Sequence, residues 1–171
     1  NIGAADGYYG IGVLVNQLFE KSYCFELSEK GRKIIKRNAT LNNVIERIFI
    51  KGEAKNDFFK DIPNEDLNDS VLLVDIEGDE FELINGALFE FLHKTIILIE
   101  IHDWIKDSDQ KINLLIKESQ NTHKLKKITT SDRNLSVYRE LKNMNDTDRW
   151  ILCSEGRPRL MSWFRFDPIE K

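Results

Sequence analysis

Ionisable side chains follow two apolar runs of the sequence, and their types suit acid–base chemistry. Asp75 and Glu77 follow the first run, whereas Glu100 and His102 follow the second. Carboxylates at the exit of a buried strand are costly unless they face a cleft. Imidazole titrates near neutral pH, so His102 is the candidate general base, and Glu77 and Glu100 would orient it or bind acceptor hydroxyls. The alternative is that Glu100 and His102 only close the sheet edge with hydrogen bonds.

The same four side chains also offer oxygen and nitrogen ligands that suit magnesium or manganese. An ion would require several of these carboxylates to converge on one point. The sequence therefore favours base catalysis without a metal and leaves a divalent cation as the alternative.

A glycine-rich turn opens the sequence as NIGAADGYYG. Gly3 and Gly7 allow the backbone to approach a ligand closely, and Asp6 offers a carboxylate inside the turn. The helix that follows presents exposed amide donors at its N-terminus. The pattern predicts a small-molecule cradle, although it differs from the G-x-G-x-x-G run of dinucleotide-binding proteins. A turn that only packs a helix against a sheet is the alternative.

Glu26 ends a short predicted strand in the segment SYCFELSEKG. Two neighbouring hydroxyls of a ribose can both donate to one ionised carboxylate. Nucleotide-binding α/β folds place such a carboxylate about 20 residues after the glycine-rich loop, as here. We therefore predict that Glu26 binds a ribose, against the alternative of an ordinary surface glutamate.

Strand and helix patterns alternate along the chain, as in an α/β fold. Continuous apolar runs at 71–74 and 96–99 indicate parallel strands that are buried on both faces. The cluster at 48–50 indicates another buried strand. Apolar residues at helical spacing predict a buried face for the first helix; they are Ile11, Leu14, Val15, Leu18 and Phe19. Further helices are predicted over 31–44, 81–92 and 110–120.

The last third of the chain predicts further strands. Residues 124–130 are compatible with a strand, and 136–148 with a helix or an irregular crossover. Residues 150–168 predict one or two strands around a turn at Gly156, Arg157 and Pro158.

Composition bounds the class of protein. A length of 171 residues with 41% hydrophobic residues suits one domain, and the net charge of −4 argues against a nucleic-acid partner. Cys24 and Cys153 lie far apart in predicted apolar strands, so we expect reduced thiols and a cytoplasmic protein. No apolar run is long enough to span a membrane, and no membrane partner is expected. His93 and His123 are predicted to lie on the surface.

Three motifs together resemble those of the FkbM-type class I S-adenosylmethionine-dependent methyltransferases. They are N-I-G-A-x-x-G at the start, D-I-E-G-x-E-x-x-x-I after one strand and I-E-I-H at the end of the next. The resemblance covers Asn1 to about Asp103, and Asn1 stands where many such enzymes carry Asp. These enzymes O-methylate hydroxyls of sugars and related natural products.

The resemblance implies a Rossmann-like three-layer sandwich with a mostly parallel sheet and an antiparallel last strand. It implies a single methyltransferase domain over 1–171 whose first strand runs into Asn1, so that we expect most of that strand to precede this sequence. It further implies S-adenosylmethionine as cofactor and a small-molecule hydroxyl, in particular of a carbohydrate, as acceptor. A methyltransferase with another small-molecule acceptor, and a methyltransferase-like binding module without activity, are the alternatives.

The resemblance also implies roles for individual residues. The implied cofactor contacts are Asn1, Gly3, Ala4, Asp6, Gly7, Glu26, Glu53, Ala54 and Asp75. Of these, Glu53 and Ala54 would border the adenine, and Asp75 would lie near the transferring methyl group. The implied catalytic residues are His102, Asp75, Glu77 and Glu100.

Overall fold

Six strands and seven α-helices are seen in the computed structural model, which describes residues 1–129, 133–154 and 160–169. The strands are β1 Ser22–Phe25, β2 Ile48–Lys51, β3 Val71–Val74, β4 Ile96–Ile101, β5 His123–Thr129 and β6 Ser162–Pro168. The helices are α1 Tyr8–Val15, α2 Glu29–Leu41, α3 Asn64–Leu67, α4 Glu80–Leu83, α5 Gly86–Phe91, α6 Ser108–Ser119 and α7 Asp146–Leu152. Short 3-10 turns occupy Ile45–Arg47, Phe58–Asp61, Leu135–Val137 and Arg139–Leu141.

The strands form a mostly parallel arrangement. β1 pairs in parallel with β2, and β3 pairs in parallel with β4. β6 pairs antiparallel with both β4 and β5. Ile2 joins the two sheets, because it bridges Phe25 of β1 and Val74 of β3. The order is therefore β2, β1, Ile2, β3, β4, β6, β5, and the predicted antiparallel last strand is confirmed.

Apolar side chains form two clusters around this arrangement. The first surrounds β3, β4 and β6 and includes Phe89, Ile97, Ile99 and Phe166, each with no exposed surface. The second lies where α1 and α2 pack on β1 and β2. Burial of these side chains supplies the main stabilisation of the strands whose ends carry the polar residues discussed below.

The first helix is shorter than predicted. It ends at Val15, because Gln17 adopts a left-handed conformation with φ 56°. Ile11 and Leu14 are buried as expected, but Val15 and Leu18 are 46% and 68% exposed. The apolar spacing therefore overstated the buried face of α1.

The predicted helix over 81–92 is two helices. α4 ends at Leu83, and Asn85 then caps α5, since its side chain accepts a hydrogen bond from the Leu88 N–H at 3.1 Å. The Asn-Gly pair at 85–86 favours such an interruption.

The strand prediction for the end of the chain is correct only in part. Residues 150–152 belong to α7, which Asn145 caps by accepting from the Asp148 N–H. Of the predicted strands, β6 lies within the residues that the structure describes here. Cys24 lies in β1 as predicted, whereas Cys153 lies at the end of α7, and both thiols are free. The turn predicted at Gly156, Arg157 and Pro158 lies outside the described residues.

A cavity of about 1120 Å³ lies between β1 and β3, towards the amino ends of these strands. Asn1, Ser22, Tyr23, Val71 and Leu72 are among its lining residues. Asn1 exchanges backbone hydrogen bonds with Tyr23 and Phe25 of β1, and Ile2 makes the two bridges described above. Within the described residues, no helix is long and apolar enough to cross a membrane.

Candidate active site

The carboxyl ends of β3 and β4 bring the predicted catalytic residues together. The two strands are in register, with Val74 beside Ile99, so the polar residues that follow lie side by side. We call the resulting group the carboxylate–histidine cluster; its members are Asp75, Glu77, Glu80, Glu100 and His102. The structure brings the four predicted side chains, Asp75, Glu77, Glu100 and His102, to one sheet edge and adds Glu80 to them.

His102 is the centre of the cluster and has no exposed side-chain surface. Its Nε2 lies 3.5 Å from Asp75 Oδ1, 3.6 Å from Glu77 Oε2 and 3.8 Å from Glu100 Oε2. The Glu77 side chain is 81% exposed, so the cluster is open to solvent on that side. Nε2 is buried and makes no hydrogen bond within the described part of the chain.

Glu80 holds the other side of the imidazole, and the sequence analysis missed this role. Its Oε1 lies 3.0 Å from His102 Nδ1 and accepts from the His102 backbone N–H at 2.9 Å. Its Oε2 accepts from the Gly78 N–H at 2.8 Å. A carboxylate facing Nδ1 favours the tautomer with the proton on Nδ1, so Nε2 presents its lone pair to the cluster. The signal was the final Glu of D-I-E-G-x-E, which reads as an ordinary first-turn residue of a helix.

The ionisation of the cluster is set by burial and by charge. Burial opposes protonation of His102, but the hydrogen bond to Glu80 and the negative charges of Glu80, Glu77 and Asp75 outweigh it and raise its pKa. Burial likewise opposes ionisation of Glu80, yet hydrogen bonds from the side chain and backbone of His102 hold its pKa below the ordinary value. The geometry therefore surrounds one imidazole with four carboxyl groups.

The loop after β3 is bent into this position. Glu77 has φ 56° and Gly78 has φ 118°, both in the left-handed region. A Cβ added at Gly78 would lie 2.8 Å from Ile105 Cγ2. Left-handed non-glycine residues often occur at functional sites, and here the bend places the Glu77 carboxylate over the imidazole.

Trp104 is a second residue that sequence reasoning missed. Its ring meets that of His102 edge to face, with centroids 4.8 Å apart and planes at 82°. It remains 43% exposed, so it offers an aromatic surface beside the cluster. Its position two residues after His102 was the only signal in the sequence.

Asp75, Glu77 and His102 are also arranged as metal ligands. One ligand atom from each lies within 4.8 Å of the other two. The sequence favoured catalysis without a metal, because an ion needs several carboxylates at one point; the structure brings two of them, Asp75 and Glu77, to His102 in this arrangement.

The glycine-rich turn contacts this edge of the sheet. Gly3 has φ 76°, and a Cβ added there would lie 1.8 Å from the Asp75 carbonyl oxygen. Gly7 has φ 89° and precedes α1. Both glycines are therefore required by the backbone, and the turn lies directly against the residue that begins the cluster.

Glu26 is placed by the same turn. Its Oε2 accepts from the Ala5 N–H at 2.9 Å, and its Oε1 accepts from the Ser28 N–H at 2.8 Å. Gly31 leaves room for it, since a Cβ there would lie 2.7 Å from Glu26 Cγ. Each carboxylate oxygen retains a second lone pair for a ligand hydroxyl.

The other predicted cofactor residues occupy varied positions. Asp6 is exposed and accepts from the Tyr8 N–H at 3.1 Å, whereas Ala4 is buried under α1. Glu53 is exposed and Ala54 is half-buried, and both follow β2. Asn1 lies between β1 and β3 and lines the cavity described above.

The remaining histidines differ from each other. His93 is exposed as predicted, but the prediction for His123 is wrong, because it is only 2% exposed. Its Nε2 lies 3.0 Å from the Thr95 carbonyl oxygen, which fixes it in the core at the start of β5.

The fold has clear counterparts among known structures, although neither a protein-family model nor a curated protein matches this sequence. TrmK of M. capricolum, in complex with S-adenosylhomocysteine, is 14% identical with a TM-score of 0.60, over 97% of this chain and 59% of its own. The O-methyltransferase of Bacillus cereus, also in complex with S-adenosylhomocysteine, is 16% identical with a TM-score of 0.58, over 97% and 71%. An uncharacterized protein of Listeria monocytogenes serotype 4b is 14% identical with a TM-score of 0.58, over 99% and 60%.

At these identities the likeness establishes the fold. The chain has the Rossmann-like fold of class I S-adenosylmethionine-dependent methyltransferases, as the sequence predicted. It spans about three fifths of the length of the TrmK and Listeria chains.

Proposed function

We propose that this chain forms an S-adenosylmethionine-dependent O-methyltransferase that acts on a hydroxyl of a sugar or a related small molecule. The observation that carries the proposal is the contact between the glycine-rich turn and the carboxylate–histidine cluster, through Gly3 and Asp75. A cofactor cradled by the turn would present its methyl group beside groups able to remove a proton. The fold supports it, since structures of this fold hold S-adenosylhomocysteine.

The cofactor residues are assigned from the sequence motifs and their placement. Glu26 would accept hydrogen bonds from the ribose hydroxyls, and Glu53 and Ala54 would border the adenine. The turn would lie under the methionine part, and Asp75 near the methyl group. The turn residues assigned in this way are Asn1, Gly3, Ala4, Asp6 and Gly7.

The reaction needs an in-line displacement and the removal of one proton. The acceptor oxygen forms a bond to the methyl carbon while the carbon–sulfur bond breaks. The electron pair of that bond passes to sulfur, so the sulfonium becomes the neutral thioether of S-adenosylhomocysteine. The hydroxyl proton passes to the carboxylate–histidine cluster, in which Asp75, Glu77, Glu100 and His102 are the catalytic residues.

The cluster and its surroundings suit a polyhydroxylated acceptor. Ionised carboxylates accept hydrogen bonds from hydroxyl groups, and Asp75 and Glu77 are both accessible. Trp104 adds an exposed aromatic surface against which the apolar face of a sugar ring packs. A cluster of this charge would repel a phosphate backbone.

The test is calorimetric titration of S-adenosylhomocysteine into the wild-type protein, Glu26→Ala and Glu29→Ala. Glu29 is the matched control, because its carboxylate is 72% exposed on the first turn of α2 and pairs only with Lys33 among the described residues. We expect saturable binding that weakens by about tenfold or more in Glu26→Ala, since a charged hydrogen bond contributes about 1.5–3 kcal/mol. Glu29→Ala should bind like the wild type.

Each result has a defined meaning. Absence of binding by the wild-type protein would overturn the methyltransferase assignment. Binding without methyl transfer to any of a panel of monosaccharides and glycosides would instead support a methyltransferase-like binding module.

A further inference from the structure

We propose that the carboxylate–histidine cluster binds one divalent cation, magnesium or manganese, through Asp75 Oδ1, Glu77 Oε2 and His102 Nε2. Binding of the ion is independent of the reaction. Its use in catalysis rests on the function proposed above.

The distances between the three ligand atoms suit a divalent cation. Mg²⁺ binds oxygen ligands at 2.0–2.1 Å in an octahedron, which places neighbouring ligand atoms roughly 3 Å apart and opposite atoms roughly 4.2 Å apart. His102 Nε2 lies 3.5 Å from Asp75 Oδ1 and 3.6 Å from Glu77 Oε2, within this range. All three ligand atoms lie within 4.8 Å of one another. Glu77 is 81% exposed, so its side chain has room to move towards a bound ion.

The imidazole of His102 presents Nε2 as a possible metal ligand. A carboxylate that faces Nδ1 favours the neutral imidazole with its proton on Nδ1 and a lone pair on Nε2, and Nε2 makes no hydrogen bond within the described part of the chain. This lone pair faces oxygen atoms of Asp75 and Glu77, which are themselves acceptors. A buried imidazole nitrogen that faces acceptors without a proton or a cation between them is unfavourable. A cation at this point satisfies all of them at once.

The hydrogen bonds of Glu80 hold His102 in the orientation that a metal ligand needs. Metal-binding histidines commonly donate the other ring N–H to a carboxylate, which fixes the ring and increases the basicity of the ligand nitrogen. Glu80 and His102 form this pair at 3.0 Å, and neither side chain has exposed surface. Glu80 is itself oriented by the backbone N–H groups of Gly78 and His102.

The ion gives the cluster a defined chemistry. The exposed side of the cluster, next to Glu77, leaves coordination positions for water or for the acceptor hydroxyl. A bound divalent ion would make such a hydroxyl more acidic, and Glu100, whose Oε2 lies 3.8 Å from His102 Nε2, would take the proton. In this arrangement His102 is a ligand rather than the base.

The test is a titration of Mn²⁺ into protein stripped with EDTA, followed by the electron paramagnetic resonance signal of free Mn²⁺. The variants are Glu77→Gln, which removes one ligand oxygen at an exposed position, and Glu82→Gln as its control. Glu82 is an exposed residue of α4 in the same segment, outside the cluster. We expect one bound ion per chain, weakened about tenfold or more in Glu77→Gln and unchanged in Glu82→Gln.

The outcomes separate the two proposals. Saturable Mn²⁺ binding that Glu77→Gln leaves unchanged, or no saturable binding, would overturn the cation site. If the same protein still binds S-adenosylhomocysteine, the methyltransferase assignment stands, with His102 Nε2 as the base. Mn²⁺ binding without S-adenosylhomocysteine binding would retain the cation site and overturn the methyltransferase.

Discussion

At the scale of single residues, Glu80 shows how one buried carboxylate organises the candidate site. It accepts hydrogen bonds from the Gly78 N–H and the His102 N–H, and it faces His102 Nδ1. These contacts join the bent loop after β3 to the end of β4. Glu80 therefore positions His102 without itself facing the open side of the cluster.

Replacing Glu80 by Gln should lower the free energy of unfolding by about 3 kcal/mol. The amide group keeps the size of the side chain, but it removes the buried negative charge that faces His102 and turns an N–H₂ group towards N–H donors. Urea denaturation of Glu80→Gln would measure this loss, with Asp79→Asn as the exposed neighbouring control. A loss of less than about 1 kcal/mol would mean that the pair does not support the site.

At the scale of an element, α1 depends on close packing against β1. Gly10 lies at the contact, since a Cβ there would be 2.3 Å from Cys24 Sγ and 3.0 Å from Ser22 Oγ. Gly12 lies on the same helix with no atom within 4 Å of an added Cβ. The two glycines thus differ only in what surrounds them.

Replacement by alanine should have opposite effects on stability at Gly10 and at Gly12. Gly12→Ala should raise the free energy of unfolding by about 0.5–1 kcal/mol, because alanine favours a helix over glycine. Gly10→Ala should lower it by about 1–2 kcal/mol, because overpacking exceeds that gain. Thermal and urea unfolding of both variants would measure the difference, and equal shifts would contradict the packing of α1 on β1.

At the scale of the whole molecule, the two buried histidines lie at opposite edges of the sheet. His102 lies at the carboxyl end of β4, whereas His123 lies at the amino end of β5. Burial lowers the pKa of His123 below 6.5 and outweighs the carbonyl groups of Thr95 and Leu92 and the charge of Asp167, which favour protonation; His93 lowers it further. His123 is therefore neutral in the folded core.

This pKa predicts a loss of stability in mild acid. The unfolded chain protonates His123 below the ordinary pKa of 6.5, whereas the folded chain does so only at lower pH. Its contribution to stability is therefore complete above that pH and is lost as the pH falls towards the folded pKa. Between about pH 7.5 and about pH 5.5, the free energy of unfolding of the wild type should fall by about 1 kcal/mol more than that of His123→Gln. Urea denaturation at both pH values would show it, and parallel pH dependences would contradict it.

The sequence by itself determined the fold class, the strands β3 and β4 and the edge at which Asp75, Glu77, Glu100 and His102 meet. Continuous apolar runs that end in charged residues carry that information locally, because parallel strands share one carboxyl edge. The glycine spacing likewise located the turn that lies against Asp75.

Tertiary structure alone decided which atoms face each other. Residue spacing does not encode the distances between segments that are separate in the sequence. The packing of those segments decided the role of Glu80, the burial of His123, the exposure of Val15 and the approach of the carboxylates to His102 Nε2. Two helix starts depend on capping side chains and not on apolar periodicity. Asn85 caps α5 and so interrupts the helix predicted there, and Asn145 caps the helix at 146–152. A local pattern fixes which face of an element is apolar. The hydrogen-bond partner of a buried polar atom comes from another segment, so it is fixed only by the packing of the folded chain.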